Sequence, residues 1–401
     1  MLSYTEARDL LISRLSPVPA ETAPLSACAG RVLARDLIAQ ENVPPFDRSP
    51  YDGYAFRAAD TAEASREAPV TLRVIQEIAA GQTAAAAVTP GTAAKILTGA
   101  PIPPGADAVC MFEKTEFTAD TVTLFAPFRP GENVIYAGED VKRGDVLARQ
   151  GDLIDPGTAG TLAAQGETAP RVYRQLRVGL ISTGNEVVEA DQTPGPGMIR
   201  NSNRHTLEAA LARYGMQPVY LGLAGDDVNR IASLIRQGAA QCDAVVLTGG
   251  VSVGDYDLTP AAMDACGCET LLRGVDLKPG MACAYGLLEG KPICGLSGNP
   301  ASSLTNFYAI ALPALKRLAG WRQPIPSEIT VTLLDGFNKK SPGTRLLRGK
   351  LDLTDGKAGM RLPGDQGNVV LSGAIGCNVM AIVPAGSGKL AAGTVLKGFM
   401  L

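Results

Sequence analysis

The chain has 401 residues, and with domains of about 100 to 200 residues that length argues for two to four domains rather than one core. Lys and Arg number 37 against 40 Asp and Glu, a net charge of −3, so no global attraction draws the chain to nucleic acid or to an anionic membrane. The single histidine, His205, excludes chemistry that needs several imidazoles and leaves carboxylates, lysine and backbone amides to do the work.

In chain order, residues 4–16 set Leu10, Leu11 and Leu15 on one helical stripe that Pro17 and Pro19 end, a helix expected to pack on a core built elsewhere. From Val43 the run PPFDRSPYDGYAF opens a region of short β-rich segments, VTLRVIQEI and AKILTGAPIPPGADAVCMF among them, broken by Gly and Pro. Residues 42–140 therefore read as an inserted β-rich domain. Residues 1–41 and 141–174 read as one discontinuous N-terminal linker domain. From Arg177 the pattern becomes strand, glycine turn, helix, strand, through RVGLIS, RHTLEAALARYG, PVYLGLA, VNRIASLIRQ and DAVVLTGG. Apolar runs of five or six alternating with longer helices predict a doubly wound α/β domain with a parallel sheet over residues 175–323. The remaining segments, SEITVTLL, GTRLLRGKL, AGMRLP and CNVMAIVP, predict a small C-terminal β-barrel over residues 324–401.

The eight cysteines include no C-x-x-C pair and read as small buried hydrophobes. No secretory leader precedes YTEARDLLISRL and no apolar run nears the roughly 20 residues that span a bilayer, so a soluble cytoplasmic protein with reduced thiols is expected.

In an open parallel sheet, ligands bind beyond the carboxyl ends of the strands. Four loops meet that description: Thr183 to Glu186, Gly225 to Asp227, Gly249 to Asp257, and Ser297 to Pro300. Glycines allow close backbone approach, hydroxyls add donors, and Pro300 suits the first turn of the helix ASSLTNFYAIAL, so this rim is expected to hold an oxyanion. Glu186, Asp226, Asp227, Asp255 and Asp257 on the same rim suit a divalent cation such as Mg²⁺ between carboxylates and a substrate phosphate. Asp226 reads equally well as the N-cap of DDVNRIASLI. Lys278, held on a turn by Pro279 and Gly280, would face the same sheet edge, although by itself it reads as a solvated turn lysine. His205, in the first turn of a helix capped by Asn201, Ser202 or Asn203, is given no catalytic role. The absence of GxGxxG and of a Walker lysine argues against dinucleotide and ordinary nucleotide-triphosphatase sites.

At these residues the sequence resembles the molybdopterin molybdenumtransferase family, the MoeA proteins and the related E domain of gephyrin. The resemblance is carried in order by FDRSPYDGYA, ILTGAPIPPGADAV, GED at 138–140, STGNE, GDD, TGGVSVGDYD, LKPG and GLSGNPAS. It implies a central MoaB/MogA-like α/β domain in a cytoplasmic, Mg²⁺-dependent enzyme. That enzyme takes adenylylated molybdopterin and molybdate, places the metal on the dithiolene and releases AMP. It further implies an elongated homodimer with a cleft shared between subunits, and transient contact with the adenylyltransferase and with apo-molybdoenzymes. Matched motif by motif, Asp52, Glu186, Asp257 and Lys278 take catalytic roles, and Glu186, Asp226 and Asp257 hold the metal. Thr98, Asp140, Thr183, Gly184, Asp226, Gly249, Gly250, Ser252, Ser297, Gly298, Asn299, Arg345 and Arg348 contact substrate, with Asp52, Thr98 and Asp140 on the opposing wall.

The chain departs from the family pattern where positive charge is expected. Met281 and Ala282 stand where lysine and proline usually follow LKPG, Gly274 replaces a basic residue beside Arg273, and Ile135, Tyr136 and Ala137 precede GED in place of arginines. Arg345 or Arg348 is then expected to supply the cation. A tungstate-specific paralogue, a pterin-nucleotide hydrolase without metal insertion and a gephyrin-like scaffold are the alternative readings.

Overall fold

The structure is a computed structural model that describes residues 1–251, 258–353 and 358–401. It divides into two compact units, one of Met1–Arg35, Gln150–Ala159 and Ala169–Leu401, the other of Asp36–Arg149 and Gly160–Thr168.

The second unit is built on a six-stranded sheet in the order Ala108–Met111, Gly53–Phe56, Thr92–Ile96, Val70–Ile78, Thr121–Leu124 and Thr115–Phe117. Alternation along the strands buries Tyr54, Phe56, Ala93, Ala108 and Cys110 in one cluster and Ala55, Ala94, Ile96 and Val109 in another. The strand Gly53–Phe56 is accordingly buried on both faces.

In the first unit, Gln217–Ala224, Arg177–Thr183, Ala244–Thr248 and Lys291–Leu296 lie side by side and parallel, in that order. Cys283–Leu288 and Glu269–Arg273 then extend the sheet antiparallel, neighbour to neighbour. The reversal comes from a two-residue turn in which both Glu289 (φ 53°) and Gly290 (φ 76°) are left-handed, the backbone a type I′ hairpin requires. The expectation of a doubly wound sheet holds, with an antiparallel edge, Cys283–Leu288 and Glu269–Arg273, that the strand-and-helix pattern did not announce.

Helices cover both faces. Ile231, Ala232, Leu234 and Ile235 of Val228–Gln241 pack with Ile181, Val245 and Leu247 on one side. Leu207 and Leu211 of Ser202–Arg213 and Phe307 and Ile310 of the helical segment Phe307–Ala311 pack with Val178, Leu180 and Val246 on the other. The helix Tyr4–Ser13, closed by a Ser3/Glu6 capping box, adds Tyr4, Ala7 and Leu11 to this second core. Its buried stripe is therefore Tyr4–Ala7–Leu11 and on to Leu15, with Leu10 only flanking it, because the spacing of seven between Tyr4 and Leu11 follows the helix face more closely.

The last five strands close the expected barrel, in the order Glu328–Leu333, Gly359–Arg361, Arg345–Asp352, Val379–Val383 and Val395–Met400. Val331, Leu333, Leu347, Val379, Ala381 and Val383 fill it. Among the described residues no helix is long and apolar enough to cross a membrane.

Candidate active site

The carboxyl ends of the four parallel strands are stitched together by short hydrogen bonds. Gly184 N donates to Ala224 O at 3.1 Å, Thr183 Oγ1 to Thr248 O at 3.2 Å, and Gly249 N to Leu296 O at 3.0 Å. Gly249, at φ 104°, must be glycine, since a Cβ there would sit 2.4 Å from Thr183 Oγ1 and 2.8 Å from Thr183 O. Buried Thr259, at the start of the following helix, holds both carbonyls of the glycine pair, its Oγ1 on Gly249 O at 2.8 Å and its N on Gly250 O at 2.9 Å. Asn203 Nδ2 donates to Gly298 O at 2.8 Å, tying the Ser297–Pro300 loop to the helix that starts at Ser202. Three of the four predicted loops, and the glycine pair that opens the fourth, thus share one rim. Ser252, Asp255 and Asp257 lie outside the described residues.

On that rim Glu186 is exposed, Asp226 is half-buried, and among the described residues neither carboxylate has an ion-pair partner. Asn185 Oδ1 accepts from Asp226 N at 3.1 Å and so fixes the two acid-bearing loops to one another. The helix cap is Asp227, whose Oδ1 accepts from Asn229 N at 2.8 Å and Arg230 N at 3.1 Å. Capping does not occupy Asp226, which corrects the alternative reading of that residue. Among the described residues no three His, Cys, Asp or Glu side chains converge as a metal centre. Two hard oxygen donors without cationic partners still suit Mg²⁺, which usually keeps waters and takes one or two carboxylates with substrate phosphate. His205 pairs with Glu208 at 3.0 Å on an exposed helix face, away from any predicted role.

The amides at the start of Pro300–Asn306 are not free. Ala301 N and Ser302 N donate to Asn368 O at 3.0 and 3.3 Å, and Asn299 N donates to Ser297 Oγ at 3.2 Å. The expected anion site on this helix start is therefore filled by the chain itself, because Asn368, 67 residues after Ala301, supplies a carbonyl that no local pattern reveals.

The barrel brings its own cation to this neighbourhood. Lys278 N donates to Thr344 O and Leu346 N to Lys278 O, both at 2.9 Å, so the LKPG turn is an extension of the strand Arg345–Asp352. Lys278 itself is exposed, and so is Met281 beside it, at 58%. Strand alternation separates the two arginines. Arg345 points with Leu347 to the barrel side, where its Nε donates to Ser341 Oγ at 3.0 Å and its guanidinium lies 5.3 Å from the Phe337 ring centroid. Arg348 shares the face of Leu346, which packs in the α/β core. Its side chain is 0% exposed, and none of its three guanidinium nitrogens has a partner among the described residues. Burial draws its pKa down. Gln366 holds the backbone of Arg348 at both ends, accepting from its N at 3.1 Å and donating to its O at 2.8 Å. Gln366, Asn368 and buried Asn306, whose Nδ2 donates to Gly280 O, are contacts that sequence reasoning missed, since each acts through a backbone group distant in sequence.

In the second unit, the loop PPFDRSPYDGYAF is clamped between two others. Ser49 exchanges hydrogen bonds with Gly99 and Ala100, Arg48 with Ile135, and Ala137 N donates to Asp47 Oδ1 at 2.7 Å. Asp52 and Thr98 are in direct contact, with Thr98 N and Oγ1 both 2.7 Å from Asp52 Oδ1, and these donors hold the carboxyl below its ordinary value. Asp140 is exposed on the neighbouring turn, its N donating to Val43 O at 3.0 Å.

Residues 2–166 match the family model described as the MoeA N-terminal region (domain I and II), and residues 179–317 match the one described as a probable molybdopterin binding domain. The chain is 35% identical over 388 residues to a molybdopterin molybdenumtransferase of Staphylococcus aureus strain COL, covering 97% of this chain and 93% of that protein. It is 36% identical over 376 residues to one of Staphylococcus epidermidis, covering 93% and 89%. The crystal structure of a molybdopterin biosynthesis moeA protein from Pyrococcus horikoshii OT3 superposes with a TM-score of 0.86 at 29% identity, covering 100% of both chains. With the sheet, the rim and the barrel in place, these matches establish that the chain belongs to the molybdopterin molybdenumtransferase family, enzymes of molybdenum-cofactor biosynthesis.

Proposed function

We propose that this protein inserts molybdate into adenylylated molybdopterin in a Mg²⁺-dependent reaction that releases AMP and yields the molybdenum cofactor. The homodimer with a shared cleft, the cytoplasmic location and the transient hand-over contacts belong to the same reading.

The observation that carries it is Arg348, a guanidinium in the interior with no hydrogen-bond partner among the described residues. A buried guanidinium left without hydrogen-bond acceptors is costly, and a tetrahedral oxyanion such as molybdate would supply the missing acceptors. Lys278, whose carbonyl accepts from Leu346 N two residues before Arg348, would add a second positive charge. Exposed Met281 stands beside Lys278 where a lysine was expected, and Arg348, on the face turned to the α/β core, offsets that loss of charge.

Glu186 and Asp226 would hold Mg²⁺, which when bound supplies charge neutralisation at the phosphoanhydride joining pterin phosphate and adenylate. Thr183, Gly184, Gly249, Gly250 and Gly298 would shape the floor on which the pterin nucleotide lies. The Asn185–Asp226 bond would keep the two acids at a fixed separation, so that neither has to reorganise when substrate arrives.

The test is to mix the purified protein with adenylylated molybdopterin, Mg²⁺ and either molybdate or tungstate, and to follow AMP and active cofactor separately. Wild type is expected to yield both, Glu186→Gln neither, and Arg348→Met AMP with little cofactor. AMP without cofactor from the wild type would replace this reading with a hydrolase. Neither product would leave a binding or scaffold role, and cofactor with tungstate alone would reassign the metal.

A further inference from the structure

The helix Thr259–Ala265 ends in a turn that brings two thiols together. Cys266 is the C-cap, Gly267 follows at φ 83°, Gly267 N donates to Asp264 O at 3.0 Å and Cys268 N to Met263 O at 2.9 Å. These are the paired bonds of a Schellman motif with its left-handed glycine. The reversal folds residue 268 back over residue 266 and leaves the two sulfurs 3.4 Å apart. Cys266 is buried and Cys268 half-buried, so the pair meets solvent on the Cys268 side. Arg236 Nη2 donates to Ala265 O at 2.5 Å, which places a guanidinium beside the last turn of the helix and next to Cys266.

We propose that Cys266 and Cys268 form a reversible dithiol–disulfide site that exchanges with small-molecule disulfides of the glutathione class. The sulfurs have only to close from 3.4 Å to about 2.05 Å, and the glycine between them lets the backbone follow. Hydrogen bonding from the Cys268 thiol, then from the Cys268 backbone, with the Arg236 charge behind them, holds the Cys266 thiol below its ordinary value in spite of burial, while Cys268 is held above it. That division suits exchange, in which a thiolate is the attacking species.

In the first step the Cys266 thiolate attacks one sulfur of the small disulfide, a protein–small-molecule S–S bond forms, and one small thiolate leaves. In the second, Cys268 gives up its proton and attacks the Cys266 sulfur, the protein disulfide forms, and the second small thiolate leaves. Two protein thiols are oxidised, one small disulfide is reduced, and the two protons end on the two small thiols. The other six cysteines are the internal control, because none of them has another sulfur as a hydrogen-bond partner among the described residues.

The experiment incubates the full chain with excess oxidised glutathione, alkylates it with iodoacetamide, digests it and maps the cysteine peptides by mass. The expected result is loss of two hydrogens from the peptide carrying both cysteines and loss of its alkylation, reversed by reduced glutathione. Cys268→Ser is expected to stop at a glutathione adduct on Cys266. A wild-type peptide that stays alkylated at both sulfurs, or that ends as a stable glutathione adduct with no internal disulfide, overturns the proposal without any variant having to fold.

Discussion

Asn306 Nδ2 donates to the carbonyl of Gly280 at 2.8 Å, so a fully buried amide on one helix fixes the turn that carries Lys278. The Oδ1 of the same amide accepts from the buried Tyr285 hydroxyl, and both polar ends of Asn306 are satisfied. The lysine turn is thereby anchored from the α/β core on one side and from the barrel strand, through Leu346 N, on the other.

Replacing Asn306 by Ala should therefore strand two buried groups, Gly280 O and Tyr285 Oη. We expect a loss of about 2 kcal/mol in denaturant unfolding. Because the lysine turn loosens, oxyanion binding should weaken as well, whereas Asn306→Gln, which keeps the donor and acceptor, should recover part of both. Unchanged stability would mean that water replaces the amide.

Arg348 should show the opposite relation between stability and function. A guanidinium at 0% exposure with no hydrogen-bond partner among the described residues opposes folding, so Arg348→Met is expected to raise stability by roughly 1 to 3 kcal/mol while lowering molybdate affinity at least tenfold by calorimetry. In the wild type, molybdate should raise the melting temperature, and in the variant it should not. A variant that is strongly destabilised would indicate a structural partner for the arginine.

Lys316 provides the pH dependence. It is 9% exposed, its Nζ lies 4.2 Å from the Tyr214 ring centroid and 4.5 Å from that of Trp321, and burial lowers its pKa from 10.5 to about 8. Below pH 8 the ammonium is charged in both folded and unfolded chains and its burial cost is fully present. Between about pH 8 and 10.5 the unfolded chain binds more protons, so this group makes stability rise with pH. Lys316→Met should stabilise the protein at pH 7 by about 1 to 3 kcal/mol, the cation–π contacts offsetting part of the gain. The advantage should shrink as pH approaches 10, measured by urea unfolding of both proteins in parallel. An advantage that does not change with pH would show that packing and not charge is responsible.

The Asp52–Thr98 pair makes a narrower prediction. Two donors from one threonine depress the Asp52 carboxyl, so its contribution is present at neutral pH and is lost as pH falls through the folded-state value. Thr98→Val removes the hydroxyl donor and keeps the amide. The Asp52 pKa followed by NMR should move up toward the ordinary carboxylate value without reaching it, and an unmoved pKa would assign the whole effect to the backbone.

Much of this architecture was legible in the chain. Strand and helix periods, glycine turns and proline stops are local properties, and they were enough to expect the α/β sheet, the barrel and a rim bearing Thr183, Glu186, Asp226 and Gly249. Long motifs in order were enough to expect the family. What local patterns could not decide was which polar group meets which. Asp227, one residue along, caps the helix and leaves Asp226 unoccupied; Asn368 fills the helix start where an anion was expected. The same holds for Arg348 facing the α/β core while Arg345 turns to Ser341 and Phe337, and for Cys266 and Cys268, read with the other cysteines as small buried hydrophobes, whose sulfurs lie 3.4 Å apart. Each of these depends on a single hydrogen-bonding direction or a single strand face, and those are set by segments that meet only after the sheet and the barrel have formed.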